Sequence, residues 1–452
     1  MKRIARTLAA GLAALALGLP VPARAADSAG RAAAPGGTAG DSREARIAQG
    51  ATLDDLTAYS YRENPMIEAA RQEWRAVVEK YRVDTAYENP EVMVEGMYMQ
   101  DTFGDRARPD DWKVTVSEPI PLLGRLGTAG AVTEADARIA RLKLDATVRD
   151  VSVQVRESYE ELCYLREAKR VAAANKDLLD QLRKVGETAY AGNRAALVDV
   201  MKAQAQSGQL QYDALLLEEL ERTEKTRLNA LLNRAPDAPL GPLADEPVRP
   251  VVYSVEELYP LAEANLEEIR IAQAGVEKAQ AMLSLTRYEN LPEVKLGLSY
   301  GEQNLARQIG VQATFMLPVW PGKNFGRTGS ARADLEKMRA MRASQINDSR
   351  AMIRDTYFRL QNSDRLIRLY RDDLLPQAAK AMETAETWFK QGQGSFSDYV
   401  ETESAWYNFQ LALARAKADY GKFLARLEKL AGRSLTLRAA DVDPNAAQEG
   451  SK

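Results

Sequence analysis

The sequence predicts a mainly α-helical protein with a small β part, built twice on one plan of a strand hairpin followed by a long helix pair. Three observations predict it. Residues alternate apolar and polar in two short regions, Val92 to Ser117 and Val294 to Leu317, and period two is the mark of a strand with one greasy face. Long stretches without proline follow each region and carry apolar residues at steps of three and four. The local motifs of the first half recur about 202 residues later, as Asn89-Pro90-Glu91-Val92 and Leu291-Pro292-Glu293-Val294 show.

The chain opens on a basic start, Lys2, Arg3 and Arg6, an apolar run from Leu8 to Leu19, and Ala23-Arg24-Ala25. Residues 1–25 therefore read as a signal peptide cleaved after Ala25. Residues 26–50, rich in Gly, Ala and Ser, read as a disordered segment. The first repeat, 51–234, begins with Thr52-Leu53-Asp54-Asp55-Leu56, and the second, 254–435, with Ser254-Val255-Glu256-Glu257-Leu258. Each is a Ser/Thr cap with acids in the first helical turn, where they suit the positive helix end. A hairpin is expected at 90–119, with its loop from Asp101 to Asp111, and its twin at 292–318. Prolines 119, 121, 318 and 321 close them, since proline ends strand pairing.

A long helix pair is expected at 127–233 and again at 325–432. In the first, Leu144, Val148, Val151, Val155, Leu162 and Leu165 follow coiled-coil spacing, with Ser158 in the gap. Turns fall near Gly192 and at Gly392-Gln393-Gly394, and Pro376 should kink or split the second long helix. The Pro-rich linker 235–253 joins the repeats, and 436–452 is a polar tail expected to be flexible.

Composition narrows the function. The chain has 61 basic and 64 acidic residues, no histidine and one cysteine, Cys163. No basic excess points to nucleic acid. Without histidine, Ser-His and Cys-His nucleophiles are excluded, and a lone thiol excludes a Cys-rich zinc site. No Gly-rich phosphate loop is found. An enzyme is not expected, nor a cofactor or metal site; Cys163 reads as a packed residue.

The hairpins raise the functional question. Val92, Val94, Val114, Val116, Leu296, Leu298, Val311 and Phe315 share the apolar face, and Tyr98, Trp112, Tyr300 and Trp320 stand near its ends. A small sandwich, packing onto the protein's own helices, or lipid could cover such a face. In lipid, strands must close into a barrel of about eight strands or more. One chain supplies four, so an oligomer would be needed, and three chains would give twelve strands with aromatic residues at the membrane interfaces.

These features together resemble the TolC-type outer membrane efflux proteins, from about Thr52 to Leu435. The carrying motifs are Asn89-Pro90-Glu91, the Pro-rich strand exits and Tyr190-x-Gly192 before Asp199, in an order that is duplicated. The resemblance implies a homotrimer with a 12-stranded transmembrane β-barrel continued by a periplasmic α-helical barrel. It implies a passive exit duct in the outer membrane, fed by an inner-membrane pump through a periplasmic adaptor that docks at the tips, Gly192, Asn193, Arg194, Gly392, Gln393 and Gly394. Pro119-Ile-Pro121-Leu-Leu-Gly124-Arg-Leu-Gly looks more like the branch serving heavy-metal pumps than the drug-efflux branch. Asp398-Tyr399-Val400-Glu401 matches the family's acidic ring at the periplasmic mouth, though two solvated surface acids would read the same. The Tyr and Arg with which some members latch the mouth are replaced by Phe389 and Gly394. The alternative is a soluble periplasmic coiled-coil scaffold or adaptor. The cargo is not legible.

Overall fold

The computed structural model describes residues 44–99, 108–192, 196–244, 247–303, 306–391 and 393–436. The expected signal peptide, the segment that follows it through residue 43, and the tail from residue 437 lie outside the described residues, as do tip residues Asn193, Arg194 and Gly392.

The first repeat runs α1 (Leu53–Glu63), α2 (Pro65–Asp84), β1 (Glu91–Met99), β2 (Arg108–Ile120), α3 (Arg125–Ala191) and α4 (Leu197–Leu231). The second runs α5 (Val255–Asn265), α6 (Glu267–Glu289), β3 (Glu293–Gln303), β4 (Ala306–Met316), α7 (Pro321–Arg368), a π-helical turn at Leu369–Leu374, α8 (Leu375–Lys390) and α9 (Phe396–Ala431). Helix starts follow local chemistry. Thr52 and Asp55 form a capping box on α1, and Ser254 and Glu257 form its twin on α5. The Asn64 side chain accepts from the N–H groups of Met66 and Ile67 while Pro65 takes the first helical position, where a missing N–H costs nothing.

The 67-residue α3, about 100 Å long at 1.5 Å per residue, is the spine. Its N-terminal half pairs with α2 and α6, through Lys143–Glu73, Arg138–Glu277 and Asp136–Lys278. Its C-terminal half lies against α4 and α9, through Lys169–Glu221 and Glu161–Arg415. The heptad residues Val151, Val155, Ser158, Leu162 and Leu165 are all buried. Leu144, Val151, Val155 and Leu162 pack with Leu56, Ile67, Leu228 and Leu232 in one core. A second core repeats it with Leu258, Ile269, Ile353, Leu360 and Leu427. In both, a tyrosine hydroxyl reaches the linker backbone, Tyr159 to the Ala244 carbonyl and Tyr357 to the Tyr253 carbonyl. Just before Pro376 the ladder widens into the π turn and then resumes as α8. Proline at position i removes an N–H and crowds the preceding turn.

The four strands make one antiparallel sheet in the order β1-β2-β3-β4. The two hairpins are thus fused through β2 and β3, with Val116 opposite Leu298 and Thr115 opposite Ser299. Three expectations need correction. The disordered segment does not reach residue 50: residues 44–49 are helical, and Ile47, 3% exposed, packs with Leu56 and Ile67 in the first core, because its apolar side chain gains by burial there. The first hairpin's loop does not extend to Asp111: β2 begins at Arg108, because a register shift between Met97 and Tyr98 takes up the extra residue and lets pairing continue. Nor does Pro119 end pairing, since it lies opposite Lys295 inside the β2–β3 ladder. β1 stops at Glu91, opposite Ser117, so beyond that point β2 has one open side on which a residue without N–H is tolerated.

Candidate functional site

The register settles what shares a face. Val92, Val116, Leu298 and Val311 form one cross-strand row; Val94, Val114, Tyr300 and Ile309 form the next; Val294 and Phe315 extend the face toward the helices. Residues directly opposite in a sheet project to the same side. This apolar face is open: Val92, Val94, Leu298 and Phe315 are exposed, and Val311 is 82% exposed. Among the described residues no helix packs across it. The other face carries Met93, Thr115, Ser299 and Gly310 in one row and Glu91, Ser117, Gly297 and Gln312 in another. Thr115 on that side is 2% exposed.

The aromatic residues mark both ends of the sheet. Trp112 and Tyr300 pack edge to face, 5.6 Å between ring centroids, at the hairpin-loop end. Trp320 caps α7 at the helical end and is exposed. The Tyr98 side chain lies outside the described residues. Gly124 forms the sharp entry into α3. Its φ of +93° suits glycine, and a Cβ there would meet the Tyr288 hydroxyl at 2.6 Å.

At the opposite end of the long helices, α3 turns into α4 and α8 into α9. The Gly192 N–H closes α3 on the Thr188 carbonyl. Gln393 and Gly394 donate their N–H groups to the Trp388 carbonyl at 2.9 and 3.2 Å, making a tight second tip. Phe389 packs on Phe396 at 5.4 Å between ring centroids. Asp398 and Glu401 are both exposed and three residues apart on α9, hence on one side of the helix. The Asp398 N–H donates to the Ser395 capping oxygen at 3.0 Å, and an acid in a first turn also suits the helix dipole.

Sequence reasoning missed one residue here. Glu403 is 0% exposed, and neither carboxyl oxygen has a hydrogen-bond partner. Burial pushes its carboxyl up to about 7. The signal was present: Phe396, Val400, Glu403 and Tyr407 are spaced by four, three and four, so this acid occupies an apolar heptad position. A contrasting acid, Glu221 on α4, is nearly as buried. There burial raises the carboxyl, but hydrogen bonds and charge from Lys169 and Lys225 outweigh it and bring it down to about 2.

Among the described residues no helix is long and apolar enough to cross a membrane, and no group of three or more Cys, Asp or Glu residues could hold a metal ion. A cavity of about 360 Å³ between α1, α2, α3 and α6 is lined by Trp74 and five arginines, including Arg75 and Arg270.

Comparison with known proteins follows the same duplication. The outer membrane efflux protein family model matches residues 60–234 and again 258–433, well over half of the chain. No curated protein sequence matches significantly. Among solved structures, the outer membrane protein VceC from Vibrio cholerae superposes with a TM-score of 0.71 at 17% identity, covering 85% of this chain and 96% of that one. A membrane protein from Pseudomonas aeruginosa gives 0.75 at 14% identity, covering 86% and 92%. The MtrE outer membrane channel of Neisseria gonorrhoeae, in its open state, gives 0.68 at 16% identity, covering 85% and 89%. The duplicated family match, joined to an open apolar sheet on a long helical body, places the chain in the outer membrane efflux protein family, as an efflux channel of the outer membrane that extends into the periplasm.

Proposed function

We propose that three copies of this chain form one passive exit duct of a tripartite efflux system, with a 12-stranded barrel in the outer membrane and a helical barrel below it. The sheet carries this reading. Its apolar face is exposed, and its outer strands β1 and β4 each have one unpaired edge. In lipid every backbone group needs a partner, so an open four-stranded sheet cannot stand alone. Pairing β4 of one copy with β1 of the next removes all edges at once. Strands of 9 to 13 residues suit a tilted crossing of the bilayer, which needs about 9–11. A soluble periplasmic scaffold or adaptor is not favoured, since it would leave this face open to water.

Transport by the duct is driven from elsewhere: a periplasmic adaptor docks at the tips around Gly192 and Gln393-Gly394, and an inner-membrane pump supplies the gradient. Trp112, Tyr300 and Trp320 are assigned to the membrane interfaces, and Val92, Val94, Val114, Val116, Leu296, Leu298, Val311 and Phe315 to the lipid face. Asp398 and Glu401 from three copies make six carboxylates at the mouth, a field that attracts cations. The likeness of Pro119 to Gly127 to the heavy-metal branch makes metal cations the first cargo class to test. Mass measurement of the purified protein in mild detergent tests the assembly. A trimer is expected, and a stable monomer with the full strand content would refute it.

A further inference from the structure

Among the described residues Glu403 is the one acid with both carboxyl oxygens buried and without a hydrogen-bond partner. We propose that Glu403 is a proton-binding site that couples the packing of the periplasmic tip to pH, protonated when α3, α4, α8 and α9 are closed on one another and ionised when they part. The proposal rests on the duct reading for its consequence, the opening of the mouth, but not for its chemistry.

The surroundings are apolar. The tip cluster comprises Val171, Ala172 and Leu179 of α3, Leu210 of α4, Ala385 of α8, and Phe396, Tyr399, Val400 and Tyr407 of α9. Glu403 falls on the α9 stripe between Val400 and Tyr407. The titratable groups beside Glu403 are the phenols of Tyr399 and Tyr407, which burial raises and the Glu403 charge raises further; half-buried Lys176 stands on α3 between Ala172 and Leu179 of the cluster. Other charged groups on the packed elements have partners of their own or are exposed. On α3, Asp180 accepts from the Ser207 hydroxyl, Arg183 bridges to Glu187, and Asp177 is exposed. On α4, Lys202 reaches Ser397, and Asp213 accepts from Gln209. On α8, Glu386 is bridged by Lys390 at 2.7 Å. On α9 itself, Asp398 and Glu401 are exposed. Among the described residues no cation forms an ion pair with Glu403. The same cluster region holds Asn175 of α3, 2% exposed, whose carbonyl oxygen also lacks a donor. A buried carboxylate here would be an uncompensated charge, whereas the protonated acid is a neutral group with an O–H to donate.

The direction follows from linkage. A carboxyl that ionises near 4.5 when exposed and near 7 when packed binds its proton more tightly in the closed tip. Closure is therefore favoured most below the exposed value, weakens as pH rises between the two, and loses no more above the packed value. With those two values, the open-to-closed ratio of the tip rises about tenfold between pH 6 and pH 8.

Hydrogen exchange on the full trimer in nanodiscs reads this directly. After correction for intrinsic base catalysis, amides of residues 171–179 and 396–407 should exchange about tenfold faster at pH 8 than at pH 6. Glu403→Gln, which keeps shape and polarity but cannot ionise, should abolish the difference, while amides of the α1–α2 core stay unchanged in both proteins. No pH dependence in the wild type, or the same dependence in Glu403→Gln, would overturn the proposal. Should the variant fail to assemble, infrared titration of the wild type decides. A protonated carboxyl band that persists above pH 6 and fades near pH 7 supports the site, and its absence at pH 6 refutes it. Channel conductance on the same samples reports separately on the duct. A protein that shows the exchange difference but no conductance keeps the proton site and loses the channel.

Discussion

Val311→Arg tests the membrane face at the point where the cost should be greatest. Val311 is the sixth of the eleven residues of β4, 82% exposed on the apolar side, in a row with Leu298, Val116 and Val92. If lipid covers that row, each arginine at mid-bilayer costs about 2–4 kcal/mol. Three copies in one barrel bring the cost to about 6–12 kcal/mol, comparable to the whole stability of an ordinary domain at about 5–15 kcal/mol. Phe315→Arg, one residue from the strand's helical end, should cost only about 0–1 kcal/mol per chain, because an arginine there reaches the interface. The lumen control is Gln312→Arg, which faces Gly297 across the ladder. Thr314 is a poorer control, since Lys295 stands opposite it and would repel a second cation. Refolding each variant into lipid vesicles and measuring the assembled fraction should rank Val311→Arg far below Phe315→Arg and Gln312→Arg. Equal losses at Val311 and Gln312 would refute the facing argument, and equal losses at Val311 and Phe315 would refute lipid as the cover.

Replacing Asp398 and Glu401 together with alanine should lower the cation-to-anion permeability ratio in planar bilayers. The difference should shrink in 1 M salt, where the Debye length is about 3 Å; an unchanged ratio at low salt returns both acids to the solvated surface. Gly124→Ala forces a side chain into a left-handed backbone against Tyr288 and should destabilise the chain by about 1–3 kcal/mol in denaturant unfolding. Glu221→Gln should lower thermal stability at pH 7, because the carboxylate's partners Lys169 and Lys225 lose their charge complement. Since Glu221 ionises well below its ordinary value in the fold, its contribution is fully present above about pH 4.5 and is lost as pH falls through about 2. The gap between wild type and variant should close on that side, as circular dichroism melts can follow.

The sequence by itself determined the features whose causes are local. Capping boxes at Thr52 and Ser254, strand alternation around Val94 and Leu298, and the three-four spacing from Leu144 to Leu165 each specify a conformation within one or two turns of chain, so they are readable without a partner. Their repetition gave the plan of the molecule, and the order of the motifs gave the family. Tertiary structure alone decided what depends on distant segments. Pairing of β2 with β3 joins residues some 180 positions apart, and it is this pairing that carries Pro119 inside the sheet and fuses two hairpins into one face. The bulge at Met97 and Tyr98 is a property of two strands together, so alternation in one of them could not place the start of β2 at Arg108. The acids of the second tip show the division most plainly. Asp398, Glu401 and Glu403 stand within six residues of one another and are alike in composition. Which of them meets water and which is sealed away is fixed by α3, α4 and α8, because burial is a relation between helices and not a property of any one of them.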